Sequence, residues 1–210
     1  MGRGLFIVLE GANRTHKHTF AQILRNNIHQ KTGQKVHVCK IDSRGSAQCP
    51  IIPNFLQGEA HYKDHIIHHI FSADRWRLSH HLRHLINRGN TVILQRYVAS
   101  GHAYSMAHGN LDLEWCKQFD SGLLKPDITI YLQRDPSIPH EIIFEDPDIY
   151  ENSEMQTKLV EKFNQLKEPD WLVVDITNGN PRQALIQILP LIVVKLNQSL
   201  KGKLEINYYD

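Results

Sequence analysis

The chain has 210 residues, 41% of them hydrophobic and 22% charged, with 24 basic against 22 acidic side chains and a net charge of +2. This is a one-domain length that can bury a sizeable core, with the composition of an ordinary globular protein. No basic run reaches five residues, which argues against a nucleic-acid-binding surface.

Cys39, Cys49 and Cys116 are odd in number and lack C-x-x-C spacing, the usage of a reduced compartment, so a cytoplasmic or nuclear location is expected. The N-terminus carries a single Arg before a short apolar run, which does not make a signal peptide. The apolar stretch 184–196 is broken by Gln187, Pro190 and Lys195 and is too short to cross a bilayer, so no membrane partner is expected.

In chain order, short apolar runs alternate with longer helical ones. Strands are expected at 5–9, 36–41, 91–94, 128–132 and 171–176, all apolar enough to be covered on both faces. Helices are expected at 19–31, 61–87, 100–108, 113–121, 151–167 and 181–197. Strand alternating with helix implies a single α/β domain over 1–210, three layers deep, with a parallel five-stranded sheet and right-handed crossovers. Residues 135–149, with three prolines and no clear period, are expected to form a long lid-like loop, and residues 199–210 a loosely held tail.

The first strand leads into Gly11-Ala12-Asn13-Arg14-Thr15-His16-Lys17-His18-Thr19. This follows the plan G-x-x-x-x-G-K-[ST], in which backbone N–H groups and a helix N-terminus cradle phosphate. Gly11 and Lys17 fit that plan. His16 stands where the second glycine would let the backbone approach phosphate without a Cβ. His18 stands where a hydroxyl would ligate Mg²⁺, and it offers nitrogen to a cation that prefers oxygen. Thr19 keeps a hydroxyl one position late. Taken alone, this stretch is equally a strand, turn and helix with no nucleotide.

Further along are IFSADRW (70–76), QRYVASGHAYS (95–105), LEWCKQFDSGLLKPDITIYL (113–132) and YENSEMQ (150–156). With RGLFIVLEG at the start, their order and spacing resemble the eukaryotic and poxvirus branch of the thymidylate kinases, over nearly the whole chain. The resemblance implies the P-loop nucleoside monophosphate kinase fold and, in the family, MgATP-dependent phosphorylation of dTMP to dTDP. It places Phe71 on the thymine face, Arg75 on a base oxygen and Arg44 with Arg96 on the monophosphate. Ser100, Gly101 and Tyr104 would line the deoxyribose, and Tyr150 and Gln156 would close over the acceptor nucleotide. Arg14 and Lys17, with Arg96, would stabilise the transferring phosphoryl group. Dimerisation through the family's usual surface is also implied.

The departures lie mainly on the donor and metal side. Besides His16 and His18, Asn13 and Gln95 stand where the family has aspartates, and Ile41-Asp42-Ser43 replaces a Phe-Pro-acidic run before Arg44. Losing one preorganised stabiliser of transition-state charge commonly costs a factor of roughly 10² to 10³. Weak or absent kinase activity is therefore expected, with Mg²⁺ and ATP as cofactor and donor only if the protein is active. The alternative is an inactive relative that binds nucleotide or a protein partner.

His61, His65, His68 and His69 fall at i, i+4, i+7 and i+8 of the second expected helix, with His80, His81 and His84 beyond. They read either as solvated or half-buried histidines or as a metal- or proton-sensing patch. No ligand set completes the latter, and no metal site is assigned.

Overall fold

The structure is a computed structural model that describes residues 2–41, 51–135, 148–177 and 180–210. Arg44 and most of the expected lid lie outside these residues. All five expected strands are present: β1 (Phe6–Glu10), β2 (Val36–Lys40), β3 (Thr91–Gln95), β4 (Ile128–Gln133) and β5 (Leu172–Asp175). They form one parallel sheet in the order β2-β3-β1-β4-β5.

The central strand β1 shows why the run was apolar at every position. Leu5, Ile7 and Leu9 join one core cluster, with residues of helices α1 (Lys17–Thr32) and α7 (Pro181–Leu200). Phe6 and Val8 join a second on the opposite face, with Leu82 and Ile86 of α3 (Asp64–Asn87). Each fully buried Leu, Ile or Phe contributes roughly 1.5–3 kcal/mol, so the strand is stabilised from both sides.

Helix α1, which follows β1, packs on one face, while α4 (Val98–His108), which follows β3, packs on the other with α3 and α6 (Ser153–Leu166). Adjacent strands whose helices leave to opposite faces open a crevice at their carboxyl ends. The sheet therefore places the 11–17 loop and the Gln95-Arg96 turn side by side.

Three expectations change. A short helix, α2 (Ile51–Leu56), was not foreseen, because Pro53 and a six-residue length hide its period; α5 (Leu113–Gln118) completes the helices among the described residues. The tail expected to be loose is tied down: Gly122 N–H donates to Tyr209 O at 2.8 Å, Lys125 N–H to Asn207 O at 2.8 Å, and Tyr209 N–H to Leu123 O at 2.9 Å. Helix α7 is also longer than expected, and by length and composition alone it could cross a membrane. In the fold, its Leu185, Ile188, Ile192 and Leu196 face the core.

Candidate active site

Gly11 turns the chain out of β1 at φ 141°. A Cβ there would lie 2.5 Å from the Leu132 carbonyl oxygen, so this position requires glycine. The next turns are less comfortable. Arg14 (φ 60°) and His16 (φ 49°) are both left-handed, as is Arg96 (φ 63°) across the crevice. Such conformations cost about 1–3 kcal/mol each in residues other than glycine and concentrate where function over-determines the backbone. His16 is the residue preceding α1, and its side chain makes no capping bond.

Lys17 folds back into its own loop. Its Nζ donates to Ala12 O at 2.6 Å, Thr15 Oγ1 at 2.6 Å and Gly11 O at 3.0 Å. Burial, and then the Arg96 charge, push its pKa well below the usual lysine range. His18 and Thr19 are exposed on the first turn of α1.

Asn13 connects this loop to the other face. Its Oδ1 accepts from Arg96 Nη2 and from the Tyr104 hydroxyl, both at 2.5 Å, while its N–H donates to Gln156 Oε1 at 2.9 Å. Gln156 Nε2 in turn donates to Tyr150 O at 2.7 Å. The Arg96 guanidinium lies over the Tyr104 ring, 5.1 Å from its centroid, and also donates to Gly11 O at 3.2 Å.

Glu10, at the end of β1, is a functional residue the sequence reading missed. Its carboxylate is buried, and Oε1 accepts the N–H groups of Tyr97 (3.0 Å) and Ser100 (3.2 Å), with the Ser100 hydroxyl donating to Oε2. Tyr97 cannot cap α4 with its own side chain, so Glu10 caps that helix from another strand. Burial raises the Glu10 pKa, opposed by the Ser100 bonds and by the charges of Arg96 and Lys17.

Arg75 is completely buried. Its Nε and Nη2 donate to the two carboxylate oxygens of Asp120 at 2.8 Å each. Nη1 lies beside Gly101, where an added Cβ would stand 2.3 Å away. Gly101, read as a sugar-lining residue, thus also leaves room for the guanidinium. Asp120 further accepts from Ser72 Oγ at 2.8 Å and His102 Nε2 at 3.0 Å. Burial alone would raise the Asp120 carboxyl, but the His102 bond and the Arg75 charge hold it down at about 2.

These elements enclose a cavity of about 690 Å³ at the switch point of the sheet. From the loop it is lined by Asn13, Arg14, Thr15, His16, Lys17, His18 and Thr19, from α3 and α4 by Phe71, Arg75, Ser100, Gly101 and Tyr104, and from the turn after β3 by Gln95 and Arg96, with Tyr150 among the remaining wall residues. Of the described residues assigned to the site from the sequence, all but three reach this one space. Gly11, Ala12 and Gln156 do not line it and stand behind it as supports.

A family model for thymidylate kinase matches residues 9–186. The chain is 38% identical to the thymidylate kinase of Schizosaccharomyces pombe over 166 residues, 79% of this chain and 78% of that one. It is 31% identical to the Homo sapiens thymidylate kinase over 180 residues, 84% of each chain. The chain belongs to the thymidylate kinase family. Its fold also superposes on the thymidylate kinase of Candida albicans, with a TM-score of 0.83 and 25% identity, over 100% of each chain.

Thymidylate kinases use Mg²⁺, and the loop fits that ion poorly: beside it stand the His18 imidazole and the neutral oxygens of the Thr19 hydroxyl and the Gln95 amide, while Glu10 has both oxygens committed to α4. The described carboxylates that line the cavity, Asp64, Asp148 and Glu151, lie outside the loop. The histidine helix divides. His68 is buried between Ser105 Oγ (2.8 Å) and Cys116 O (3.2 Å), whereas His65 and His69 lie outside against Trp115. Among the described residues, no three His, Cys, Asp or Glu side chains come together as metal ligands.

Proposed function

We propose that this protein binds dTMP in the cavity and phosphorylates it from ATP slowly or not at all. The observation that carries this reading is the left-handed, imidazole-bearing His16 at the mouth of α1, with Lys17 turned into the loop behind it. A phosphate chain reaching α1 would meet a ring where the loop needs a bare backbone, and it would have to draw Lys17 away from three partners.

The acceptor half has what it needs. Phe71 offers a ring face to the base, and Arg75 presents Nη1 beside Gly101. Arg96, held by Asn13 and Tyr104, offers a preorganised guanidinium to a monophosphate, with Arg14 on the same wall. Tyr104 and Tyr150 pack edge to face 4.9 Å apart and narrow the cavity around the sugar. No step is assigned to a metal, because among the described residues only neutral oxygens and an imidazole stand beside the loop, with no carboxylate left to hold a hard cation.

The test is a coupled assay with MgATP and dTMP, run on the natural protein and on a His16→Gly/His18→Ser/Gln95→Asp variant. The variant is expected to gain at least roughly a hundredfold. Turnover by the natural protein within the ordinary kinase range of roughly 1–100 s⁻¹ overturns the reading. If turnover is absent in both while dTMP still binds, the remaining role is that of a binding module.

A further inference from the structure

We propose that Asp120 and His102 are positioning residues that aim Arg75 at the base, and so set the protein's preference for a ligand carrying a pyrimidine carbonyl. This rests on the reading of Arg75 as the group that meets the base. It adds two residues outside the cavity lining.

Asp120 is a heavily committed acceptor. Three N–H donors hold it, Arg75 Nε on Oδ1 and Arg75 Nη2 and His102 Nε2 on Oδ2, and the single Ser72 hydroxyl proton is shared between Oδ1 (2.8 Å) and Phe119 O (2.9 Å). All of these groups are buried. A bidentate carboxylate fixes the plane of a guanidinium as well as its place. With Nε and Nη2 committed, Nη1 is the end left for a ligand, held against Gly101 on the cavity wall.

His102 acts on Asp120 and not on Arg75. Its Nε2–H donates to the oxygen that also holds Nη2, so it opposes rotation of the carboxylate and carries the ring as a neutral donor. Burial lowers the His102 pKa, which agrees with that neutral form. His68 stacks behind it, ring centroids 6.1 Å apart, and is anchored to Ser105 and Cys116. Asp120 comes from the loop after α5, His102 from α4 and His68 from α3, so three elements converge on the orientation of one side chain.

The experiment is calorimetric titration of the full chain with dTMP and with 2-deoxyribose 5-phosphate, which shares sugar and phosphate but has no base. The readout is the ratio of the two affinities. A positioning role moves that ratio, and a merely structural role lowers both affinities together. Asp120→Asn turns amide N–H groups toward donors and releases Arg75, and the ratio is expected to fall roughly tenfold. His102→Leu leaves the ion pair in place and is expected to fall roughly threefold. His102→Gln keeps an N–H donor and is expected to restore the ratio. Should Asp120→Asn fail to fold, the two His102 variants still decide. A constant ratio in His102→Leu, with Arg75→Lys lowering it, overturns the proposal. A constant ratio in Arg75→Lys overturns the reading of Arg75 itself, and the proposal with it.

Discussion

The Nζ atom of Lys17 lies 2.6 Å from the carbonyl oxygen of Ala12, inside the loop that Lys17 itself closes. The cation a phosphate would seek is spent on backbone carbonyls and on the Thr15 hydroxyl. Lys17→Met would leave those buried acceptors short of a donor. It is expected to cost about 1–3 kcal/mol in urea unfolding, besides lowering any residual turnover. Unchanged stability would show that these bonds hold nothing in place.

His16 should behave oppositely. A non-glycine residue in the left-handed region costs about 1–2 kcal/mol, and glycine tolerates it. At φ 49°, His16→Gly is expected to raise the melting temperature by a few degrees, though glycine's greater freedom in the unfolded chain offsets part of the gain. A lower melting temperature would mean that the imidazole makes contacts worth more than the backbone strain.

How much of this was legible beforehand depends on the kind of residue. The five strands are short apolar runs and could be read directly, since burial on both faces leaves no alternation to interpret. Gly11, Phe71, Arg96 and Tyr104 could be placed because they sit inside long motifs. Glu10 escaped notice because capping of a distant helix leaves no local signature: its partners are 87 and 90 positions away. Asp120 lay within a quoted motif, yet its bond to Arg75 spans 45 positions. His68 was grouped with its helical neighbours, and only packing of α3 on α4 separates a buried imidazole from exposed ones. The loose tail was misjudged because its polar composition says nothing about backbone bonds to residues 122–125.

The buried Arg75–Asp120 pair makes its own stability prediction. Removing one partner of a buried pair leaves an uncompensated charge, at a cost of about 3–5 kcal/mol. Asp120→Ala is expected to fall in that range, whereas Glu114→Ala, whose contact to Lys117 is exposed, should lie within about 1 kcal/mol of the natural protein. Equal losses in the two variants would contradict the assignment.

Gly101→Ala drives a methyl group to 2.3 Å from Arg75 Nη1. Overpacking of this kind costs about 1–3 kcal/mol, and here it should also weaken dTMP binding by displacing the guanidinium. Full dTMP affinity in a folded Gly101→Ala protein would show that Arg75 has slack.

His68 gives the fold a pH dependence. Burial, then the Arg75 charge, lower its pKa from the ordinary 6.5 to about 4, so the folded state prefers the neutral ring. A neutral ring must donate from Nε2 to the Cys116 carbonyl and accept at Nδ1 from the Ser105 hydroxyl. The stabilisation is complete above pH 6.5 and is lost as pH falls toward 4, because the unfolded chain takes up the proton first. Urea midpoints at pH 7.5 and 4.5 should differ more for the natural protein than for His68→Gln. An identical pH response would place the titration elsewhere.

The two halves of the cavity are expected to have parted company, the acceptor side still binding its ligand and the donor side not. Thermal melts with saturating dTMP and, separately, saturating MgATP test this directly, since a ligand stabilises only the state it binds. A clear rise with dTMP and none with MgATP is the predicted result. An equal rise with MgATP alone would show that the His16–Lys17 loop grips the donor after all, and that the two halves still work together.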